Sequence, residues 1–225
     1  MAGSKDSFLA QRVYEQIREQ IQTGKLPPGS RLVNRKLATE LGTSMVPIRE
    51  ALNRLTSEGL LEHLPGGGNF VRKLNRKEIV QLYEFRESLE VFAAREAAKN
   101  IQSYHLKHLK RLCADWEQLL ENIQATEKGE TTKTMLRKWL DDDFEFHSVI
   151  MEAADNPWLG KVAMDLKLMT LVIRNKPEML SYDAAKLTHD DHLNLVDALE
   201  GHDADKAEQV MRKHIRQGVE FILSN

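Results

Sequence analysis

The chain has 225 residues, 41% hydrophobic and 29% charged, enough for one large domain or two modest ones with a substantial core. Its one cysteine, Cys113, excludes a disulfide framework or a thiolate metal cluster within a single chain. No signal-peptide-like N-terminus and no run of membrane-spanning length is present, so a reducing cytoplasm is the expected compartment. The net charge of −2 hides an asymmetry: residues 1–75 hold 11 Lys and Arg against 7 Asp and Glu, and the remainder is acidic. A basic head on an acidic body is expected where only the head meets phosphate.

Apolar residues at Val13, Ile17 and Ile21, behind Phe8 and Leu9, predict a first helix that stops at Thr23-Gly24. Pro27-Pro28-Gly29 forbids its continuation, and a short extended segment, Ser30 to Val33, follows. Asn34 is the expected cap of a helix from Arg35 to Leu41 that ends at Gly42. Ser44 caps the next helix, with Pro47 tolerated in its first turn. Its core stripe is Ile48, Ala51, Leu52 and Leu55, and Met45, Arg49, Glu50 and Asn53 lie opposite. Two short helices around a tight turn form a helix-turn-helix, a device for placing side chains in a DNA major groove. Two strands, Leu60–Leu64 and Asn69–Lys73, joined across Pro65-Gly66-Gly67-Gly68, then read as a wing.

From Asn75 onward the pattern is helical, with predicted helices at 76–99, 102–128, 131–153, 156–174, 183–200 and 203–223. The breaks are Asn100, Gly129, Asn156-Pro157, Lys176-Pro177 and Gly201. The fold class expected is therefore mainly α: a winged helix-turn-helix domain at residues 1–74, then an all-α antiparallel helical bundle at 75–225.

Asp143 and His147 stand four residues apart and share a helix face. His192 and His214 lie on the last two helices, at similar distances on either side of the turn near His202, so their imidazoles can face one another. Three imidazoles and a carboxylate suit a borderline divalent ion such as Zn²⁺ or Ni²⁺. An acid–histidine pair on an exposed helix is the plainer alternative. Trp116, Trp139 and Trp158 occupy apolar helical positions and are expected in the core, with Trp158 able to pack over a cavity. His105, His108 and His189 are expected at the surface.

Residues 9–73 resemble the winged helix-turn-helix of the GntR family of bacterial transcription regulators. The resemblance rests on Ile17, Ile21, Gly24, Pro28-Gly29, Leu32, Arg35, Leu37-Ala38, Leu41-Gly42, Ser44, Pro47, Arg49-Glu50-Ala51-Leu52, Leu55, Gly59-Leu60 and the glycines at 66–68. It implies that Arg35 grips a phosphate, Ser44 caps the recognition helix beside phosphate, Arg49 reads a guanine edge, and Gly66 enters the minor groove. Many relatives carry arginine where this chain has Met45, so an apolar contact is expected there and operator preference does not transfer.

Residues 76–223 are similar to the helical FCD ligand domain of the FadR subfamily. The motifs are Arg86-x-x-Leu89-Glu90, Asp143-x-x-x-His147 with Ala153 and Asn156-Pro157, His192-x-x-Leu195-x-x-Ala198-Leu199, and Ala207 with His214. The resemblance implies one divalent ion held by Asp143, His147, His192 and His214, and a small organic-acid or sugar-acid effector beside it. Arg86 is the candidate carboxylate clamp, unless it merely pairs with Glu90, and Arg174 is a second candidate. The function implied is a ligand-responsive regulator, more often a repressor, binding a palindromic operator as a homodimer. The alternatives are a metal-dependent hydrolytic enzyme using the same four residues, or a regulator whose metal is purely structural.

Overall fold

The computed structural model describes residues 2–160, 162 and 180–224. Among them the chain divides into two compact units, one ending at Asn75 and the other beginning at Arg76.

The first unit contains α1 (Ala2–Gln22), β1 (Arg31–Leu32), α2 (Asn34–Glu40), α3 (Met45–Ser57), β2 (Leu61–Leu64) and β3 (Gly68–Val71). Val13, Ile17 and Ile21 of α1 join Leu37 of α2, Ile48, Ala51, Leu52 and Leu55 of α3, and Leu60, Leu61 and Val71 of the wing in one core. Each of the Val, Leu and Ile side chains contributes on the order of 1.5–3 kcal/mol by leaving water. The turn between α2 and α3 is built on Gly42 at φ +59. There the Thr43 N–H reaches the Ala38 carbonyl at 3.0 Å and closes α2. Ser44, with an extended backbone, occupies the N-cap position of α3, but its side chain makes no cap hydrogen bond. The cap of α2 falls on Val33 rather than Asn34, because Asn34 already has helical geometry.

The wing has a third strand. β1 pairs antiparallel with β3 through Arg31–Phe70 and Leu32–Asn69, giving the order β1-β3-β2. Gly66, at the hairpin tip, has φ +73, and a Cβ there would meet open space. Tyr14 fastens α1 to α3: its hydroxyl donates to Glu58 at 2.8 Å, and the Arg54 guanidinium lies 3.9 Å over its ring.

The second unit comprises α4 (Arg76–Asn100), α5 (Ser103–Gln124), α6 (Lys133–Ala153), α7 (Tyr182–Glu200) and α8 (Ala204–Ser224). α4 packs along α8 and against α6, while α5 packs on α6 and α7. The buried small residues Ala93, Ala94, Ala97 and Ala98 let neighbouring helices approach α4 closely. α5 ends at Gln124, short of the expected residue 128, because the Thr126 hydroxyl turns back to the Ile123 carbonyl. The α5–α6 link is tied to the start of α7: Thr131 N–H donates to the Leu180 carbonyl, and Leu180 N–H to the Thr131 hydroxyl, both at 2.9 Å. Of the helix expected at 156–174, residues 157–160 and 162 are helical; Arg174 and the Lys176-Pro177 break lie outside the described residues.

Candidate functional site

α6 carries Asp143 and His147 one turn apart, α7 carries His192, and α8 carries His214. One ligand-type atom from each lies within 4.8 Å of all the others. His147 Nε2 is 3.1 Å from His214 Nε2 and 3.8 Å from Asp143 Oδ1, and His192 Nε2 is 3.6 Å from that same oxygen. Ligands around an ion at bond lengths of ~2.0–2.2 Å stand roughly 3.0–4.2 Å from one another, so the spacing suits a single divalent ion.

The burial of these groups says the same. Asp143 and His147 are each 6% exposed, His214 9% and His192 0%. His192 is stacked on Trp116 of α5, with Phe146 on its flank, and neither of its ring nitrogens has a hydrogen-bond partner among the described residues. A buried imidazole with two unsatisfied nitrogens is costly unless one of them binds something. Burial first, and then the neighbouring His214, pushes the His192 pKa well below its ordinary value. Burial, followed by His147, lowers His214 to about 3. Both shifts favour the neutral ring, the form in which imidazole binds a metal. The donor set fits a borderline divalent ion.

Two further contacts fix the heights of α7 and α8. His202, at φ +53 in their connecting turn, has its Nδ1 2.7 Å from the Ala98 carbonyl of α4. The Lys213 ammonium donates to the buried Asp191 at 2.7 Å, so residues adjacent to both ligands are fastened together.

Arg86 lies beside this cluster but is engaged. Its Nε donates to Glu90 Oε1 at 2.6 Å, and both side chains are buried. This is the pair weighed from sequence as the alternative to a clamp, found in the interior rather than on the surface. Burial alone would raise the Glu90 pKa, but the Arg86 charge, and then His147, outweigh it and hold Glu90 down to about 2. Glu90 Oε2 lies 2.5 Å from His147 Nδ1.

On the first unit, Arg35, Ser44, Arg49 and Gly66 are all exposed and Met45 is partly so. Arg49 makes no ion pair among the described residues, neither with Glu15 nor with Glu50; its Nε only approaches the Met45 carbonyl at 3.4 Å. The rest of its guanidinium stands exposed on the outer face of α3. His63 of the wing lies 3.0 Å from Asn69 Oδ1 across the hairpin.

Three residues differ from their sequence expectation. His189 is buried rather than exposed to solvent, edge-on to Trp116. His105 is also buried, because its Nδ1 accepts from the Gln102 N–H and closes the start of α5. Trp158, expected in the core, is 72% exposed. Glu90 and Trp116 are members of the site that spacing did not reveal. The signal for Glu90 was a charged pair set in the apolar stripe of α4 among Leu82, Tyr83, Ala93 and Ala94.

A winged helix-turn-helix followed by a helical unit with a buried, ligand-like cluster defines a two-part transcription regulator. The chain belongs to the bacterial regulatory proteins of the gntR family that carry an FCD domain: it matches the gntR family over residues 9–71 and the FCD domain over 81–217. It is 31% identical over 92% of its length, and 85% of the relative's, to the "Probable D-xylose utilization operon transcriptional repressor" of Paenarthrobacter nicotinovorans. It is 30% identical over 87% of its length to the "Nta operon transcriptional regulator" of Aminobacter aminovorans, covering 86% of that protein. Its fold is similar to Escherichia coli McbR/YncC, with TM-score 0.75 at 22% identity, covering 96% of this chain and 97% of that one. These relatives are regulators, not enzymes, so the hydrolytic alternative falls away. No helix among the described residues is long and apolar enough to cross a membrane.

Proposed function

We propose that the protein is a cytoplasmic, metal-loaded repressor whose affinity for a palindromic operator is set by a small carboxylate effector. Residues 1–74 form the DNA-binding domain and residues 75–225 the sensing and dimerising domain. Asp143, His147, His192 and His214 hold one Zn²⁺ or Ni²⁺, which supplies open coordination positions to an organic-acid or sugar-acid carboxylate. The observation that carries this reading is the convergence of those four side chains within 4.8 Å in the interior. Arg86 provides positive charge beside the site, and Arg174 is retained as a second effector contact. The relatives named for operon control, one of them a repressor, favour repression over activation.

On the first unit, Arg49 reads a base edge, Arg35 and Ser44 hold phosphate, Met45 makes an apolar contact and Gly66 enters the minor groove. One such head covers a half-site, so a homodimer reads the palindrome. Phe85 and Phe92, two turns apart on α4 and each nearly half exposed, offer an apolar stripe for the second copy.

The test combines elemental analysis of the purified protein with operator binding in the presence of a panel of small carboxylates. One equivalent of divalent metal, lost in His192→Ala/His214→Ala, is the expected result. A carboxylate that changes operator affinity only in the metal-loaded protein completes it. Unchanged metal content in the double variant refutes the site, and indifference to every carboxylate reduces the ion to a structural one.

A further inference from the structure

We infer that Glu90 is a positioning residue for the metal site, fixing His147 so that its Nε2 lone pair faces the ion. The inference rests on the metal reading above. A neutral imidazole carries one N–H. With Glu90 Oε2 2.5 Å from Nδ1, a proton on Nδ1 meets the carboxylate, whereas a proton on Nε2 sets a lone pair against it. Neither Nδ1 nor Oε2 has a hydrogen-bond partner elsewhere among the described residues, and the two meet as a close charged contact rather than an aligned hydrogen bond. The geometry therefore selects the Nδ1–H form and leaves Nε2 to point at His214 Nε2 and Asp143 Oδ1, 3.1 and 3.8 Å away.

Glu90 is itself held. Its other oxygen, Oε1, takes the Arg86 Nε–H at 2.6 Å, so the two carboxylate oxygens are divided between a guanidinium and an imidazole. Arg86 and Glu90 stand on α4 and His147 on α6, and the chain Arg86–Glu90–His147 crosses between two helices to reach the cluster. A direct ligand role for Glu90 is disfavoured because it approaches the ring nitrogen that faces away from the other three ligands. A purely stabilising role explains little either, since a buried ion pair returns little net stability after desolvation and needs no imidazole. Carboxylates that accept from the far nitrogen of a ligating histidine orient the ring and raise its basicity, and losing one costs ~10–100-fold in metal affinity.

The test uses the full-length protein, with Zn²⁺ alone as the probe. Long-range ¹H–¹⁵N imidazole correlations, assigned through the loss of signals in His147→Gln, should report a single Nδ1–H form of His147 in the wild-type chain. By competition with a chromophoric chelator, Glu90→Ala should bind Zn²⁺ ~10–100-fold more weakly, with His147 no longer in one tautomer. Glu90→Gln keeps an acceptor oxygen and should restore the tautomer and most of the affinity. A proton on Nε2 in the wild-type protein overturns the inference, as does wild-type Zn²⁺ affinity in Glu90→Ala. Failure of the wild-type chain to take up Zn²⁺ instead overturns the metal reading itself, and the inference with it.

Discussion

The indole of Trp116 lies on the imidazole of His192 with ring centroids 4.3 Å apart and planes 16° from parallel. A candidate ligand thereby touches an intrinsic fluorophore that is itself fully buried. Paramagnetic Ni²⁺ at the cluster should quench tryptophan emission with a stoichiometry of one per chain, whereas Zn²⁺ should not. Trp116→Phe should abolish most of the quenching while preserving uptake of the ion. Titration monitored by fluorescence checks this, and equal quenching in the variant would place the ion elsewhere.

Arg49 is exposed and without an ion pair among the described residues, so its removal should leave stability unchanged. Arg49→Ala should lose discrimination at one operator position, worth ~1–3 kcal/mol for a bidentate base contact. Arg35→Ala should behave differently: it should weaken binding to all duplexes alike and reduce the salt slope by about one. Fluorescence anisotropy on operator and scrambled duplexes at several salt concentrations separates the two. Retained discrimination in Arg49→Ala contradicts the groove assignment.

Much of this molecule was readable before any fold was known, and what was not has physical causes. The helix-turn-helix announced itself through local chemistry: Gly42 and Ser44 mark the turn, and the stripe from Ile48 to Leu55 marks the buried face of α3. β1 lies within the extended segment expected from Ser30 to Val33, but its pairing into the wing was not legible, because two residues joined to a strand nearly forty positions away leave no periodic signal. The four candidate ligands were found by counting along helices, since rise per residue is reliable. Glu90 was not, because an Arg and a Glu four residues apart look the same on a surface as in a core, and only burial separates a solvated pair from one that reaches His147. Trp158 misled for the opposite reason: its apolar character implied burial that tertiary structure does not supply.

Gly42 provides a test of the turn alone. At φ +59 a side chain is strained even though a Cβ there would touch nothing within 4 Å. Gly42→Ala should therefore cost ~1–2 kcal/mol through backbone conformation, not crowding. Denaturant unfolding of the variant measures it. A neutral effect would mean that the turn between α2 and α3 readily relaxes.

The cluster also predicts how the metal-free protein responds to acid. His214 is held down to about 3, chiefly by burial, and His192 well below its ordinary value for the same first reason. An unfolded imidazole titrates near ~6.5. Above that pH both states are neutral and these residues add no pH dependence. Between ~6.5 and about 3 the unfolded chain binds protons that the folded chain refuses, so stability falls as pH falls. Glu90, held down to about 2, acts in a lower window: its contribution is whole above the ordinary carboxylate range and is lost as pH drops through about 2. Chelator-treated protein should therefore lose stability from pH 7 to pH 5, before the carboxylates begin to protonate. Saturating Zn²⁺ should shift that loss to lower pH, because protons and metal compete for the same imidazole nitrogens. Chemical denaturation at a series of pH values, with and without the ion, makes the measurement. A flat profile from pH 7 to pH 5 in the metal-free protein would mean that His192 and His214 reach solvent and are not the buried, neutral pair on which the site depends.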